Sequence, residues 1–83
     1  MRDTTAAGRV RFAQLQQGLG RKALARGDVE AARTVLCALQ PGDFDGATVI
    51  AETCLRVLGD EQSTEANVRT ALRILGRLPI RSP

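Results

Sequence analysis

Hydrophobic residues recur every three or four positions along most of the chain, and polar residues fill the positions between them. This spacing is typical of one face of an α-helix. It predicts four helices, over about 9–26, 29–40, 44–58 and 63–78. No segment has the alternating pattern of a half-buried strand. The sequence therefore predicts an all-α fold of four helices in two antiparallel helical hairpins.

The helical pattern occupies residues 9–79, which we expect to form a single domain with hairpins at 9–40 and 44–78. With 83 residues in all, the chain is long enough for one core. The opening segment MRDTTAAG, residues 1–8, is small and polar. We expect it to be a flexible N-terminal arm.

Three of the predicted helices have one clear apolar face. These faces are Phe12, Leu15, Leu19 and Ala23 in the first helix, Val29, Ala32, Leu36 and Leu39 in the second, and Val68, Ala71, Leu72, Leu75 and Leu78 in the fourth. The third helix is apolar around more than half of its circumference. A helix of that kind is usually buried on several sides, so we expect the third helix to be central.

Residues that end and begin helices separate these segments. Gly27 suits the left-handed position that closes a helix, and Asp28 can accept hydrogen bonds from the first amides of the next. Asp43 or Asp45 could cap the third helix in the same way. Ser63 or Thr64 could cap the fourth helix, which Pro79 ends. The turns therefore agree with the periodicity.

Charge is unevenly distributed over a net value of +3. Residues 1–26 carry six basic groups and one acid, residues 27–66 carry eight acids and two arginines, and residues 67–83 carry four arginines and no acid. Either the basic ends pair with the acidic middle, within or between chains, or they meet an anionic partner. The modest net charge favours pairing.

The composition gives no sign of catalytic or metal chemistry. The chain has no histidine, and its two cysteines, Cys37 and Cys54, are too few for a zinc site. In an antiparallel hairpin their offset is about 10 Å at ~1.5 Å rise per residue, too far for a disulfide. We expect reduced thiols in a cytoplasmic protein without a cofactor, an enzymatic activity or a membrane span.

Residues 19–41 resemble a tetratricopeptide repeat. The matching positions are Leu19-Gly20, Ala23, Gly27-Asp28, Ala32 and Leu36. Gly59-Asp60 repeats the turn 32 residues later, although Ala51-Glu52 replaces the second Leu-Gly pair and Pro41 comes early. The resemblance implies stacked helical hairpins whose first helices line an inner face.

Carried over by position, that inner face would bind a partner. It would hold Gln14, Gln17, Arg21 and Leu24 from the first helix, and Val49, Thr53, Arg56 and Val57 from the third. Such a mixture suits an amphipathic helix of another protein, or self-association. The runs RGDVEAARTVL, ALQPGDFDG and AETCLRVLGD are also similar to the small bacterial chaperones of type III secretion needle subunits. This similarity implies an adaptor or chaperone.

The segment STEANVRTALRILGRLPI supports an alternative. It is similar to the recognition helix of bacterial winged-helix repressors. Arg69, Arg73 and Arg77 lie four residues apart and form one basic row, which could contact the phosphates of duplex DNA. No strand pattern follows to form a wing. A helix-turn-helix regulator that uses residues 63–78 is therefore the second hypothesis.

Overall fold

A computed structural model describes residues 5–82, with Thr5 described by its backbone alone. Within these residues the chain forms α1 (Thr5–Ala25), α2 (Val29–Leu36), α3 (Thr48–Gly59) and α4 (Glu65–Arg77). One turn of 3-10 helix lies at Pro41–Asp43, and an isolated bridge pairs Phe44 with Ile80. The described part contains no strand. The prediction of an all-α fold with four helices is confirmed, and α1 packs on α2 while α3 packs on α4.

The central helix is α4, so the expectation that the third helix is central is wrong. α4 packs against all three of the other helices, whereas α3 packs against α4 and the 3-10 turn. The buried side of α4 comprises Val68, Ala71, Leu72, Leu75 and Gly76. On α3, Val49 and Ile50 remain 74% and 51% exposed. The surplus of apolar residues on α3 therefore lies on the surface of the described structure.

Small residues let α1 and α2 cross closely. Gly20 is buried, and a Cβ placed there would lie 2.6 Å from Leu36 Cγ. Leu36 and Ala32, on the facing side of α2, are fully buried. Gly27 has φ of 80°, and the Asp28 carboxylate accepts a hydrogen bond from the Ala31 amide. The predicted turn is confirmed.

The predicted face of α1 does not face the core. Phe12, Leu15 and Leu19 are 39%, 61% and 41% exposed, and of that set only Ala23 is buried. The side that packs inward instead includes Ala13, Gln17 and Gly20. Two helices press on this side, and close packing selects small side chains over large ones.

Neighbouring helices supply hydrogen bonds to helix ends whose carbonyls have no partner within their own helix. Gln17 and Arg21 of α1 bind carbonyls at the end of α4. Gln16 of α1 binds the Val35 carbonyl at the end of α2. Arg33 of α2 donates from both Nε and Nη2 to the Leu58 carbonyl at the end of α3. Polar side chains thus join the helices at their ends.

Several predicted boundaries shift. α1 begins at Thr5, so 5–8 of the predicted arm are helical, while 1–4 lie outside the described residues. α2 ends at Leu36 rather than near 40, and α3 begins at Thr48 rather than near 44. The start of α3 has no side-chain cap, since Asp43 lies in the preceding 3-10 turn. The cap of α4 is Thr64, one of the two predicted residues.

The segment after α4 returns to the loop before α3. The Arg81 amide donates to the Asp43 carbonyl at 2.8 Å, and the Asp45 amide donates to the Pro79 carbonyl at 2.9 Å. Phe44, between them, is fully buried. Arg9 of α1 binds the Asp43 carboxylate, with Nε 2.8 Å from Oδ1. The loop is therefore fixed to α1 on one side and to residues 79–81 on the other.

Candidate protein-binding surfaces

The α1 half of the predicted inner face is used inside the molecule. Gln17 is 7% exposed, and its Nε2 donates to the carbonyls of Leu75 at 2.9 Å and Leu78 at 2.7 Å. Residue 79, which would supply the amide for Leu75 in a longer helix, is proline and has no N–H. The assignment of Gln17 to a partner-binding face is corrected: Gln17 completes the end of α4.

Arg21 has a similar internal role, although it is exposed. Its Nη1 donates to the Gly76 carbonyl at 3.0 Å. Its side-chain carbons lie against Gly76, where a Cβ would be 3.0 Å from Arg21 Cγ. Gln14 is exposed and Leu24 is half-buried. In the α1 half of the predicted face, Gln17 and Arg21 therefore contact α4, whereas Gln14 remains exposed to solvent.

The α3 half leads to a groove on a different side of α4. We define the α3–α4 groove by its lining residues, which are Thr53, Cys54 and Val57 of α3 and Asn67, Thr70, Ala71 and Ile74 of α4. Its volume is about 180 Å³, below the ~300–1,000 Å³ typical of small-molecule pockets. Because α4 carries both this groove and the contacts to Gln17 and Arg21, it separates the two halves of the predicted face.

The α3–α4 groove contains no charged side chain. The hydroxyls of Thr53 and Thr70 donate to carbonyls of their own helices, those of Val49 and Ala66. Two further predicted residues of α3 lie outside the lining set. Val49 is highly exposed, and Arg56 lies 3.9 Å from Glu52 on the surface. The groove therefore combines a largely apolar floor with uncharged polar residues.

A second apolar surface follows α1. We define the α1 row as Phe12, Leu15 and Leu19, which are three and four residues apart and all exposed. The Arg9 guanidinium lies over the Phe12 ring, 5.0 Å from its centroid. These three residues belong to the apolar face that their spacing predicts for the first helix, but they lie outside the core. The signal that could have indicated this is Gly20, which marks the close-packed side of α1 away from Leu15.

The arginine row of α4 is divided between two environments. Arg69 Nη2 donates to the Glu65 carboxylate at 3.0 Å. Arg73 and Arg77 are exposed and, within residues 6–82, have no acidic partner at salt-bridge distance. Together with Arg21 they border a cleft at the C-terminal ends of α1 and α4. Cations at these ends complement the negative pole of each helix dipole.

The two thiols are free and lie in different surroundings. Cys37 is exposed and Cys54 is buried at the floor of the α3–α4 groove. Burial raises the pKa of both thiols, and for Cys37 the charge of Arg33 offsets part of the rise. Within the described residues, no group of three or more His, Cys, Asp or Glu side chains could hold a metal ion. None of the described helices has the length and apolar character needed to cross a membrane.

No known protein family, curated protein or solved structure matches the chain at a significant level.

Proposed function

We propose that this chain is a non-enzymatic protein-binding module, of the adaptor or chaperone kind, that seats an amphipathic helix of a partner in the α3–α4 groove. The observation that carries the proposal is an uncharged groove between two helices with Ile74 still 36% exposed at its edge. Ile50, four residues before Cys54, extends the same side of α3 and is half exposed. Binding of a partner helix would bury the exposed parts of these two side chains.

The dimensions of the groove suit a helical segment. Its α4 wall runs from Asn67 to Ile74, which is about 10 Å at ~1.5 Å per residue. That length accommodates roughly two turns of a helix, with two or three apolar anchors at steps of three and four. Because the groove bears no charge, the partner's contacting face should be aliphatic or aromatic, with its charges outside the groove.

A narrower version of this proposal is a chaperone of a type III secretion needle subunit. The first hairpin supports it through the close crossing at Gly20 and the turn at Gly27-Asp28, which are the residues of the repeat resemblance. In that family the first helices of both hairpins line one groove. Here Gln17 of α1 binds α4, so the partner would occupy the second hairpin alone.

The test uses affinity-tagged protein expressed together with the products of neighbouring genes. We expect the wild type to retain a small helical protein in a one-to-one ratio and Ile74→Asp to lose it. The matched control is Ala7→Asp, which places the same charge at an exposed apolar residue of α1 outside the α1 row. A photo-crosslinking amino acid in place of Thr70 should then form a covalent crosslink to the helical segment of the partner.

Two results would overturn the proposal. One is a stable wild-type monomer that retains no protein under these conditions. The other is equal loss of the retained protein in the Ala7→Asp control, since the contact would then not depend on the α3–α4 groove.

Binding of duplex DNA by α4 is the second candidate function. Exposed Arg73 and Arg77, without acidic partners among residues 6–82, favour it. The Arg69–Glu65 contact and the burial of α4 against three helices favour the first candidate, because they leave little of α4 to enter a DNA groove. Binding to duplex DNA that disappears in Arg73→Ala plus Arg77→Ala, and weakens steeply with salt, would support DNA binding. Unchanged binding of duplex DNA in that variant would exclude the arginine row of α4 as the DNA contact.

A further inference from the structure

The α1 row is an exposed apolar surface that the α3–α4 groove does not include. Phe12, Leu15 and Leu19 lie on one side of a 21-residue helix, and Leu15 at its centre is 61% exposed. Single exposed apolar residues are ordinary, but three at helical spacing form a continuous stripe. Such a stripe presents the anchors that pack against another helix.

Basic residues lie at both ends of this row. Arg11 precedes Leu15 by four residues, and Lys22 follows Leu19 by three, so all four lie along one side of α1. Both cations are exposed. Within residues 6–82 neither has an acidic partner at salt-bridge distance. The stripe is therefore bounded at each end by a cation that can pair with a partner.

The charge of α1 argues against a second copy of α1 as the occupant. Thr5–Ala25 contains four basic residues and no acid. Two α1 helices placed side by side would bring these cations together with nothing on either helix to neutralise them. Like charges at such an interface are unfavourable, whereas opposite charges favour association and set its orientation.

We propose that the α1 row binds an acidic amphipathic helix of a partner protein. The partner's apolar residues, spaced by three and four, pack on Phe12, Leu15 and Leu19. Its carboxylates, about three turns apart, pair with Arg11 and Lys22. This inference does not depend on the proposed function, because it concerns a separate surface with its own charge pattern. The chain would then be able to hold two helical segments at once.

The test uses two fluorescein-labelled 18-residue peptides with the full protein. Both have leucines at steps of three and four; one carries glutamates beside the leucines, and the other carries lysines at the same positions. We expect the glutamate peptide to bind about tenfold more tightly than the lysine peptide at low salt, a factor of ten being ~1.4 kcal/mol. This preference should shrink as salt rises.

Variants assign the binding to the α1 row. Leu15→Ser plus Leu19→Ser should weaken binding of the glutamate peptide about tenfold or more. Arg11→Glu plus Lys22→Glu should reverse the preference towards the lysine peptide. Arg56→Glu plus Arg73→Glu, at exposed arginines of α3 and α4, changes the net charge by the same amount and should leave the preference unchanged. Circular dichroism and thermal unfolding check that each variant folds.

Several outcomes would overturn this proposal. Equal affinity for the two peptides, no binding of either, or loss of binding in the groove variant Ile74→Asp would each do so. A dimer in sedimentation that Leu15→Ser dissociates would identify a second copy as the occupant instead. Binding to phosphatidylglycerol vesicles without binding to the glutamate peptide would identify a membrane surface. Since Ile74→Asp tests the α3–α4 groove separately, either proposal can fail without the other.

Discussion

Gly20 of α1 lies directly against the side chain of Leu36 of α2. A Cβ on Gly20 would be 2.6 Å from Cγ and 2.8 Å from both methyl carbons of Leu36. Leu36 is fully buried and cannot move outward without opening the core. The separation of the two helices in the first hairpin is therefore set by the absence of a side chain at residue 20.

Gly20→Ala should destabilise the protein. The added methyl group would gain up to ~1 kcal/mol in helix propensity, but overpacking a tight core costs about 1–3 kcal/mol. The matched control is Gly18→Ala, on the same helix with open space around the added carbon. That variant should be more stable than the wild type by up to ~1 kcal/mol. Urea unfolding followed by circular dichroism measures both, and similar effects at the two glycines would contradict the close contact.

Gln17→Leu should destabilise the end of α4. The substitution keeps a side chain of similar size but removes the donor to the carbonyls of Leu75 and Leu78. Leaving buried acceptors without a partner costs about 1–3 kcal/mol. Gln14→Leu, at an exposed position of the same helix, is the control and should change stability by less than ~0.5 kcal/mol. Equal effects would show that Gln17 does not complete α4.

Asp43 should make the stability depend on acid pH. Burial by itself would raise the pKa of Asp43, but hydrogen bonds from Arg9 and the Gln40 amide, with the Arg9 charge, lower it below the usual value. A carboxyl whose pKa is lower in the folded state adds stability above its unfolded pKa of ~3.9, and this stability is lost as pH falls through the folded pKa. We therefore expect the free energy of unfolding to decline below about pH 5.

Three variants distinguish the contribution of Asp43 to stability from the contributions of the other carboxyl groups. Asp43→Asn should be less stable than the wild type at pH 7, and the difference should narrow towards pH 2. Arg9→Ala leaves the Asp43 carboxylate, which is 4% exposed, without its ion-pair partner. It should cost about 1–3 kcal/mol at pH 7, because the Arg9 side chain is 36% exposed and solvent screens part of the interaction. Arg69→Ala removes only an exposed pair with Glu65 and should cost less than ~1 kcal/mol. A constant difference between wild type and Asp43→Asn from pH 7 to pH 2 would contradict the lowered pKa.

The two thiols should react at very different rates in the folded protein. Cys37 is accessible at the surface, and partial desolvation by neighbouring groups raises its pKa, so a thiol reagent should modify it slowly at pH 7 and faster as pH rises. Cys54 is 5% exposed and should react only after denaturant is added. Ellman's reagent counts both thiols over time. Rapid modification of two thiols without denaturant would show that the α3–α4 groove opens readily.

Turn residues predicted the helix ends well where the capping hydrogen bond joins residues that are close in the sequence. Gly27 and Asp28 act within a few residues of each other, and Thr64 caps α4 by binding the Asn67 amide. The start of α3 could not be predicted in this way. Asp43 has the right residue type for a cap, but its carboxylate binds Arg9, 34 residues earlier. A contact over that distance leaves no local signal.

The buried side of α1 shows a second limit. The larger residues Phe12, Leu15 and Leu19 have the spacing of a core face, yet the helix packs through Ala13, Gly20 and Ala23. Hydrophobic spacing identifies a face but does not take account of how close the neighbouring helix comes. Gly20, Ala23 and Ala32, which are small residues among the matching positions of the tetratricopeptide resemblance, are all buried.

The candidate sites were predictable only in part. Thr53 and Val57 were placed on a binding face, and both line the α3–α4 groove. Gln17 was placed on the same binding face, but its side chain donates to the Leu75 carbonyl at the end of α4, where Pro79 supplies no amide. The spacing of the α1 row predicts an apolar helix face, and such a face can either pack in the core or bind a partner. Which of these two roles the α1 row takes depends on the side of α1 on which α4 packs.

The hydrogen bonds of Gln17 have a consequence for synthesis on the ribosome. The carbonyls that Gln17 binds belong to residues 58 and 61 positions later in the chain. α1 is therefore translated before the residues of α4 that cover its inner side. Until α4 has also emerged from the ribosome, both sides of α1 are exposed to solvent, and a nascent-chain chaperone has access to a surface that the folded protein encloses.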